Sequence, residues 1–87
     1  MFEIIIETKA DKALRAVDRT LRSQIAEDIY GLGTRFMDGK RLTGKLKGYR
    51  SCRSGDYRII YQVQLEKSIV RILRIAHRKD VYRDLER

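Results

Sequence analysis

Proline and tryptophan are absent from this 87-residue sequence, and cysteine and histidine occur once each. The lone cysteine, Cys52, excludes an internal disulfide framework. One histidine and one cysteine do not make a zinc site on their own. No apolar run approaches the roughly 20 residues of a membrane span. The N-terminus lacks a basic region followed by a long apolar one, so no secretory signal is expected and the reading is a cytoplasmic protein. The phosphate-cradling patterns GxxxxGK(S/T) and GxGxxG are missing, and no GxSxG context supports a serine nucleophile. There is no repeat, low-complexity stretch or linker, so one domain is expected to span residues 1–87. At 43% hydrophobic the chain has enough apolar material for a core. That core is small, and a bound partner would add to its stability.

Positive charge is plentiful and uneven. The chain has 20 Lys and Arg against 12 Asp and Glu, a formal charge of +8. Residues 1–39 carry six basic and seven acidic side chains, a net of −1. Residues 40–87 carry fourteen basic and five acidic, a net of +9. The first half reads as scaffold and the second as a surface for a polyanion or an acidic protein. A solvated basic face with no specific ligand is the alternative.

The hydrophobic period changes along the chain. Residues 2–8 are apolar and β-branched and predict a strand. Thr8 is placed to cap the helix that follows, with Asp11 three residues on. Leu14, Val17, Leu21, Ile25, Ile29, Leu32 and Phe36 recur at steps of three or four, which is one helical face and predicts core. Asp18, a good N-cap, divides the stripe into antiparallel helices over about 9–17 and 19–35. Residues 37–48, with Gly39, Gly44 and Gly48 among Lys40, Arg41, Lys45 and Lys47, predict a basic, flexible connection. Strands follow over about 49–54, 56–64 and 68–77, joined by turns at Ser54–Asp56 and Leu65–Lys67. The last is apolar on both faces, as a covered strand would be. The β-α-α-β-β-β order predicts an α+β fold, with a two-helix hairpin packed on one face of a four-stranded antiparallel sheet.

The chemistry-bearing residues are mostly arginines. Arg50, Arg53 and Arg58 flank the Ser54–Asp56 turn. Arg74, His77, Arg78 and Lys79 end the last strand, and Tyr82 follows. An antiparallel sheet brings such segments to one end. Arginine stays charged and grips phosphate bidentately, so a cluster suits an RNA phosphate and the charge of a transition state. Histidine ordinarily titrates near neutrality, which makes His77 a candidate proton carrier. A tyrosine such as Tyr82 stacks on a base or hydrogen-bonds to phosphate. For each residue alone, solubility or a structural role is an equal reading; the signal is their density.

Two stretches carry a family resemblance: GDYRIIY at residues 55–61 and ILRIAHRKDVYR at residues 72–83. Together they resemble signature segments of the RelE toxins of bacterial and archaeal toxin–antitoxin systems. The lead-in RLTGKLKG at 41–48 resembles the family's basic KLxGxLxG loop. The resemblance covers nearly the whole chain and implies a metal-independent, ribosome-dependent mRNA endonuclease that needs no cofactor. In such toxins the ribose 2′-hydroxyl attacks the adjacent phosphate in the ribosomal A site, leaving a 2′,3′-cyclic phosphate and a 5′-hydroxyl. Anchored on GDYR, Arg58 falls on the family arginine at the scissile phosphate, and Arg53 on a basic position of the preceding strand. Arg78 falls on the basic position before the C-terminal segment, and Tyr82 on the tyrosine that stacks on or orients the nucleotide. Arg50, Lys45, Lys47, Arg74 and Lys79 are expected to bind the RNA backbone.

Ser51 departs from the pattern, because many relatives have Lys or Arg there. Arg50 is one step away and faces the other side of an unbulged strand. The general base is therefore open between a missing group and His77. Two rival readings share the fold: a ParE-like inhibitor of DNA gyrase, and a degenerate RNA-binding member without catalysis. ParE-like chains tend to lack the phosphate-binding arginines and terminal tyrosine, which favours the nuclease here. Each toxin reading implies a cognate antitoxin with a disordered segment that folds on binding, besides the ribosome and mRNA, and no membrane.

Overall fold

The computed structural model of the chain describes residues 1–80. The Ile4-Ile5-Ile6 run forms strand β1 (Glu3–Ile6), followed by helices α1 (Thr8–Ala16) and α2 (Arg19–Gly31). Strands β2 (Lys40–Arg41), β3 (Arg50–Ser54), β4 (Tyr57–Gln64) and β5 (Ile69–His77) complete the order. Short 3-10 turns at Gly44–Leu46 and Leu65–Lys67 lie between them. Asp18 is the N-cap residue of α2, though its side chain makes no cap bond; its carbonyl accepts from Arg22 N at 2.8 Å. Thr8 is not a cap. Glu7 holds that position and Thr8 is already helical. Helix α2 stops four residues earlier than the periodicity implies. Past Gly31 the chain turns instead, and Gly33 O accepts from Phe2 N, which draws it toward β1.

The sheet has five strands in the order β1-β5-β4-β3-β2 and is mixed, which corrects the expected four-stranded antiparallel sheet. Strand β1 lies parallel to β5, with Ile4 opposite Val70 and Ile6 opposite Ile72. First and last strands share no hairpin, so no turn fixes their orientation, and parallel pairing needs only a long connection. Strand β5 lies between β1 and β4, so both of its edges are paired. The added strand, β2, pairs with β3 through two charged residues, Lys40 opposite Ser51 and Arg41 opposite Arg50. Two residues are too few to show a period.

One sheet face is packed by the helices. Ile25, Ile29, Leu14 and Leu32 meet Ile59, Tyr61, Val70, Ile72 and Ile75 in the core. Leu21 is the exception in the helical stripe: it is 47% exposed. The opposite face of β4, open in the sense that neither described helix packs on it, holds the alternate residues Arg58, Ile60, Gln62 and Gln64, of which Ile60 is fully buried. A bulge in β5 decides what joins them. Ile60 pairs with Arg74 but Tyr61 pairs with Ile72, so Leu73 is an extra residue. The extra residue reverses the alternation. Ile75 joins Val70 and Ile72 on the helix face, and Arg74 and Ala76 fall on the open one. The spacing of Val70, Ile72 and Ile75 already breaks a strict period of two.

Candidate nucleic-acid interface

The β3–β4 hairpin places two arginines side by side. Arg53 and Arg58 are register partners on the open face, and Ala76 stands opposite Arg58 on β5. One row along, Lys40, Ser51, Ile60 and Arg74 line up across four strands. Ser51 and Ile60 are buried at the centre of this row. The turn is tight because Gly55 adopts φ +61°, a left-handed conformation that glycine takes without strain. Its carbonyl accepts from Arg53 Nε at 3.1 Å. The Asp56 carbonyl accepts from Arg78 N at 2.9 Å, so Arg78 leaves β5 beside this turn. Lys79 follows, exposed. Tyr82 lies outside the described residues.

Like charges opposite each other in a sheet repel. Among the described residues the ion pairs are Arg15–Asp11 and Arg71–Glu7, and neither neutralises Arg53, Arg58, Arg74 or Arg78. Arg53, Arg58, Arg74 and Arg78 thus come from neighbouring positions at one end of this face, and none of them forms an ion pair with a described carboxylate. An anion there would gain charge-assisted hydrogen bonds and relieve the repulsion.

His77 and Arg50 are not brought into this group. His77 pairs with Tyr57, and its ring meets the Tyr57 ring edge-on at 5.8 Å and 74°. Tyr57 packs against the core, so His77 lies across the sheet from Arg58. Its Nδ1 accepts from Lys79 N at 3.3 Å. Arg50 faces the helix side as well, opposite Tyr61. Its Nη1 donates to Gly39 O at 2.8 Å and Met37 O at 3.2 Å. Tyr61 completes this clamp: Oη donates to Phe36 O at 3.0 Å and accepts from Gly39 N at 2.9 Å. Gly39 has no room for a side chain, since a Cβ there would run into the Tyr61 ring. Burial pushes the Tyr61 phenol above its ordinary pKa. Lys45 and Lys47 lie on the loop before β3, near the far end of β4. From Arg58 to Val63 is five strand residues, about 17 Å.

Sequence reasoning missed three supporting residues. Ser54, 3% exposed, donates from Oγ to Asp28 Oδ2 at 2.6 Å and ties the hairpin to α2. Asp28 stands three residues after Ile25 and four before Leu32, an acid within the apolar stripe, and that was the available signal. Lys40 falls in a basic, glycine-rich stretch that predicts a loop, yet it stands in β2 opposite Ser51. Cys52 is raised to about 11, mainly by burial, with Asp28 adding to the shift and Arg58 opposing it. Such a thiol is a poor nucleophile at neutral pH.

Residues 4–82 match the family model described as ParE toxin of type II toxin–antitoxin system, parDE. Toxin RelG of Mycobacterium tuberculosis is 32% identical over 84 residues, spanning 94% of this chain and 97% of the relative. The chain belongs to the RelE toxin family. Within it, Toxin RelE of the same organism is 30% identical, covering 94% of this chain and 87% of that one. A chain in the crystal structure of the M. tuberculosis RelBE2 toxin–antitoxin complex superposes with a TM-score of 0.79 at 29% identity, covering 87% and 96% of the two chains. This RelE-family protein is accordingly a toxin of a type II toxin–antitoxin system. No helix among its described residues is long and apolar enough to cross a membrane.

Proposed function

We propose that this RelE-family toxin inhibits translation by cutting mRNA on the ribosome. The observation that carries the reading is the Arg53–Arg58 cross-strand pair, which has no carboxylate partner among the described residues. In the proposed reaction the 2′-oxygen attacks the adjacent phosphorus and the bond to the 5′-oxygen breaks. The 2′-proton passes to a base, and the 5′-oxygen leaves as a hydroxyl once protonated. Negative charge grows on the non-bridging oxygens, where preorganised positive groups act most strongly. Arg58 and Arg78 hold the scissile phosphate in this scheme, with Arg53 beside them. Arg74 and Lys79 bind flanking phosphates, and Tyr82 stacks on the nucleotide. The guanidinium groups supply the charge stabilisation without calling on a metal. Ser51 leaves its position without a basic group, and His77 sits across the sheet, so the scheme names no base.

The toxin is proposed to act in the cytoplasm and to be neutralised by a cognate antitoxin, for which the net +9 of residues 40–87 favours acidic segments. The ParE description of the matching family model favours a second reading, inhibition of DNA gyrase without catalysis. Mapping mRNA 5′ ends after expression in cells separates the two. Cuts inside ribosome-occupied codons support the nuclease. Supercoiling defects without such cuts support the gyrase inhibitor.

A further inference from the structure

Strand β2 brings a lysine to the face that carries the arginine pair. Lys40 is the register partner of Ser51, and strand partners present their side chains to the same side. Lys40 therefore stands on the side of Arg53 and Arg58, one row away, which is two residues or about 7 Å along the strands. A flexible four-carbon stem carries its ammonium over a comparable distance. Ser51 and Ile60, between Lys40 and Arg74 in the row, are 3% and 0% exposed, so the two cations are what the row presents to a ligand. Lys40 is exposed, and neither ion pair among the described residues involves it. Its backbone is held before anything binds. Gly39, the residue before it, donates its N–H to Tyr61 Oη at 2.9 Å, and the Gly39 carbonyl accepts from Arg50 Nη1 at 2.8 Å. Side chains from β3 and β4 thus pin the start of β2.

The cleavage proposed above needs a proton for the departing 5′-oxygen, because an alkoxide is a poor leaving group. The arginines do not supply it, since a guanidinium does not give up its proton in a protein. His77 lies across the sheet. We propose that Lys40 is the general acid of this reaction, its ammonium donating a proton to the 5′-oxygen as the bond to phosphorus breaks; this rests on the nuclease reading. The 2′-oxygen forms the new bond to phosphorus and its proton passes to solvent water. The electron pair of the broken bond stays on the 5′-oxygen, which takes the Lys40 proton and leaves as a hydroxyl. The neutral amine then regains a proton from solvent. A positioned lysine is suited to such transfer. The other lysines near this face are less well placed. Lys79 follows β5 in a turn, where no strand pairing sets its direction, and Lys45 lies in the 3-10 turn before β3.

The test is single-turnover cleavage on programmed ribosomes, at saturating toxin, for the parent, Lys40→Ala and Lys40→Arg. Two messages are compared, one ordinary and one with sulfur in place of the 5′-oxygen at the cut. Sulfur leaves as a thiolate near neutral pH, so no acid is needed there. Both variants are expected to cut the ordinary message about a hundredfold more slowly than the parent, and the sulfur-bridged message within about threefold of it. The second result would also show that the variants fold. Equal slowing on both messages would make Lys40 a phosphate-binding charge and overturn the proposal. A parent-like rate of Lys40→Arg on the ordinary message would overturn it too, because arginine keeps the charge and not the transferable proton. Parent-like cutting of the ordinary message by Lys40→Ala overturns the assignment while leaving the nuclease in place. A parent that cuts neither message removes the nuclease reading and the proposal together.

Discussion

Arg58→Ala separates a phosphate-binding arginine from a structural one by moving activity and stability in different ways. Arg58 and Arg53 are direct cross-strand partners, and neither is neutralised by a described carboxylate. Two unit charges about 6 Å apart in water repel by about 0.7 kcal/mol. Physiological salt, with a Debye length of about 8 Å, screens part of that. Truncation relieves this repulsion and loses the packing of a half-buried aliphatic stem. The two effects offset, so stability should change by about 0.5 kcal/mol or less, or roughly 3 °C in Tm for a domain this size. The variant should look relatively more stable at 20 mM salt than at 500 mM, where the relieved repulsion is already screened. Cleavage is expected to behave differently. Removing one preorganised charge from a phosphoryl transition state costs on the order of 3 kcal/mol, at least a hundredfold in rate. Single-turnover cleavage on programmed ribosomes and thermal melting of the same preparation make the comparison. A Tm drop beyond about 10 °C would make Arg58 a structural residue, and parent-like cleavage would make it a surface one; either refutes the reasoning.

Other consequences follow from the same contacts. Tyr61→Phe strips the partner from Gly39 N and Phe36 O and should lower unfolding stability by about 2–4 kcal/mol in denaturant titrations. Cys52 is held at about 11 against an ordinary value near 9. The folded thiol therefore stays protonated while the unfolded one ionises, so its contribution to stability is complete below pH 9 and is lost as pH rises to about 11. The parent should lose more Tm than Cys52→Ala between those values, and equal losses would contradict the shift. If four arginines contact phosphates, RNA affinity should fall with log salt at a slope of about −3, and Arg58→Ala should flatten it by about 0.7. A slope near zero would mean that the arginines do not touch phosphate.

Much of the architecture is local and therefore readable. A period near 3.6 gives way to a period of two around residue 48, and the helices and the three long strands follow from that alone. The parallel β1–β5 pairing was hidden, because strand orientation between chain-distant segments depends on tertiary packing and not on local pattern. Strand β2 was hidden by its two-residue length. Leu21 fits the helical stripe yet lies at the start of α2, where the sheet no longer covers it. The arginine pair was legible, since residues flanking a short hairpin turn must face each other or alternate. The placement of Arg74 was not, because it depends on the bulge at Leu73. Strand alternation already set Arg50 on the other side from Ser51, whereas His77 looked equivalent to its neighbours in sequence; both lie on the helix side, opposite Tyr61 and Tyr57. Arg50 there satisfies loop carbonyls rather than a ligand, and no composition argument distinguishes those uses.

The central claim is that a positively charged end of the open sheet face cuts ribosome-bound message. Its most direct test is cleavage of a 5′-labelled mRNA, with purified toxin, on ribosomes carrying a defined codon in the A site and in the absence of ribosomes. The account predicts a cut within the A-site codon, a 2′,3′-cyclic phosphate on the upstream fragment, and little cleavage of naked message. Intact mRNA in both reactions, with toxin that still melts cooperatively, would contradict it.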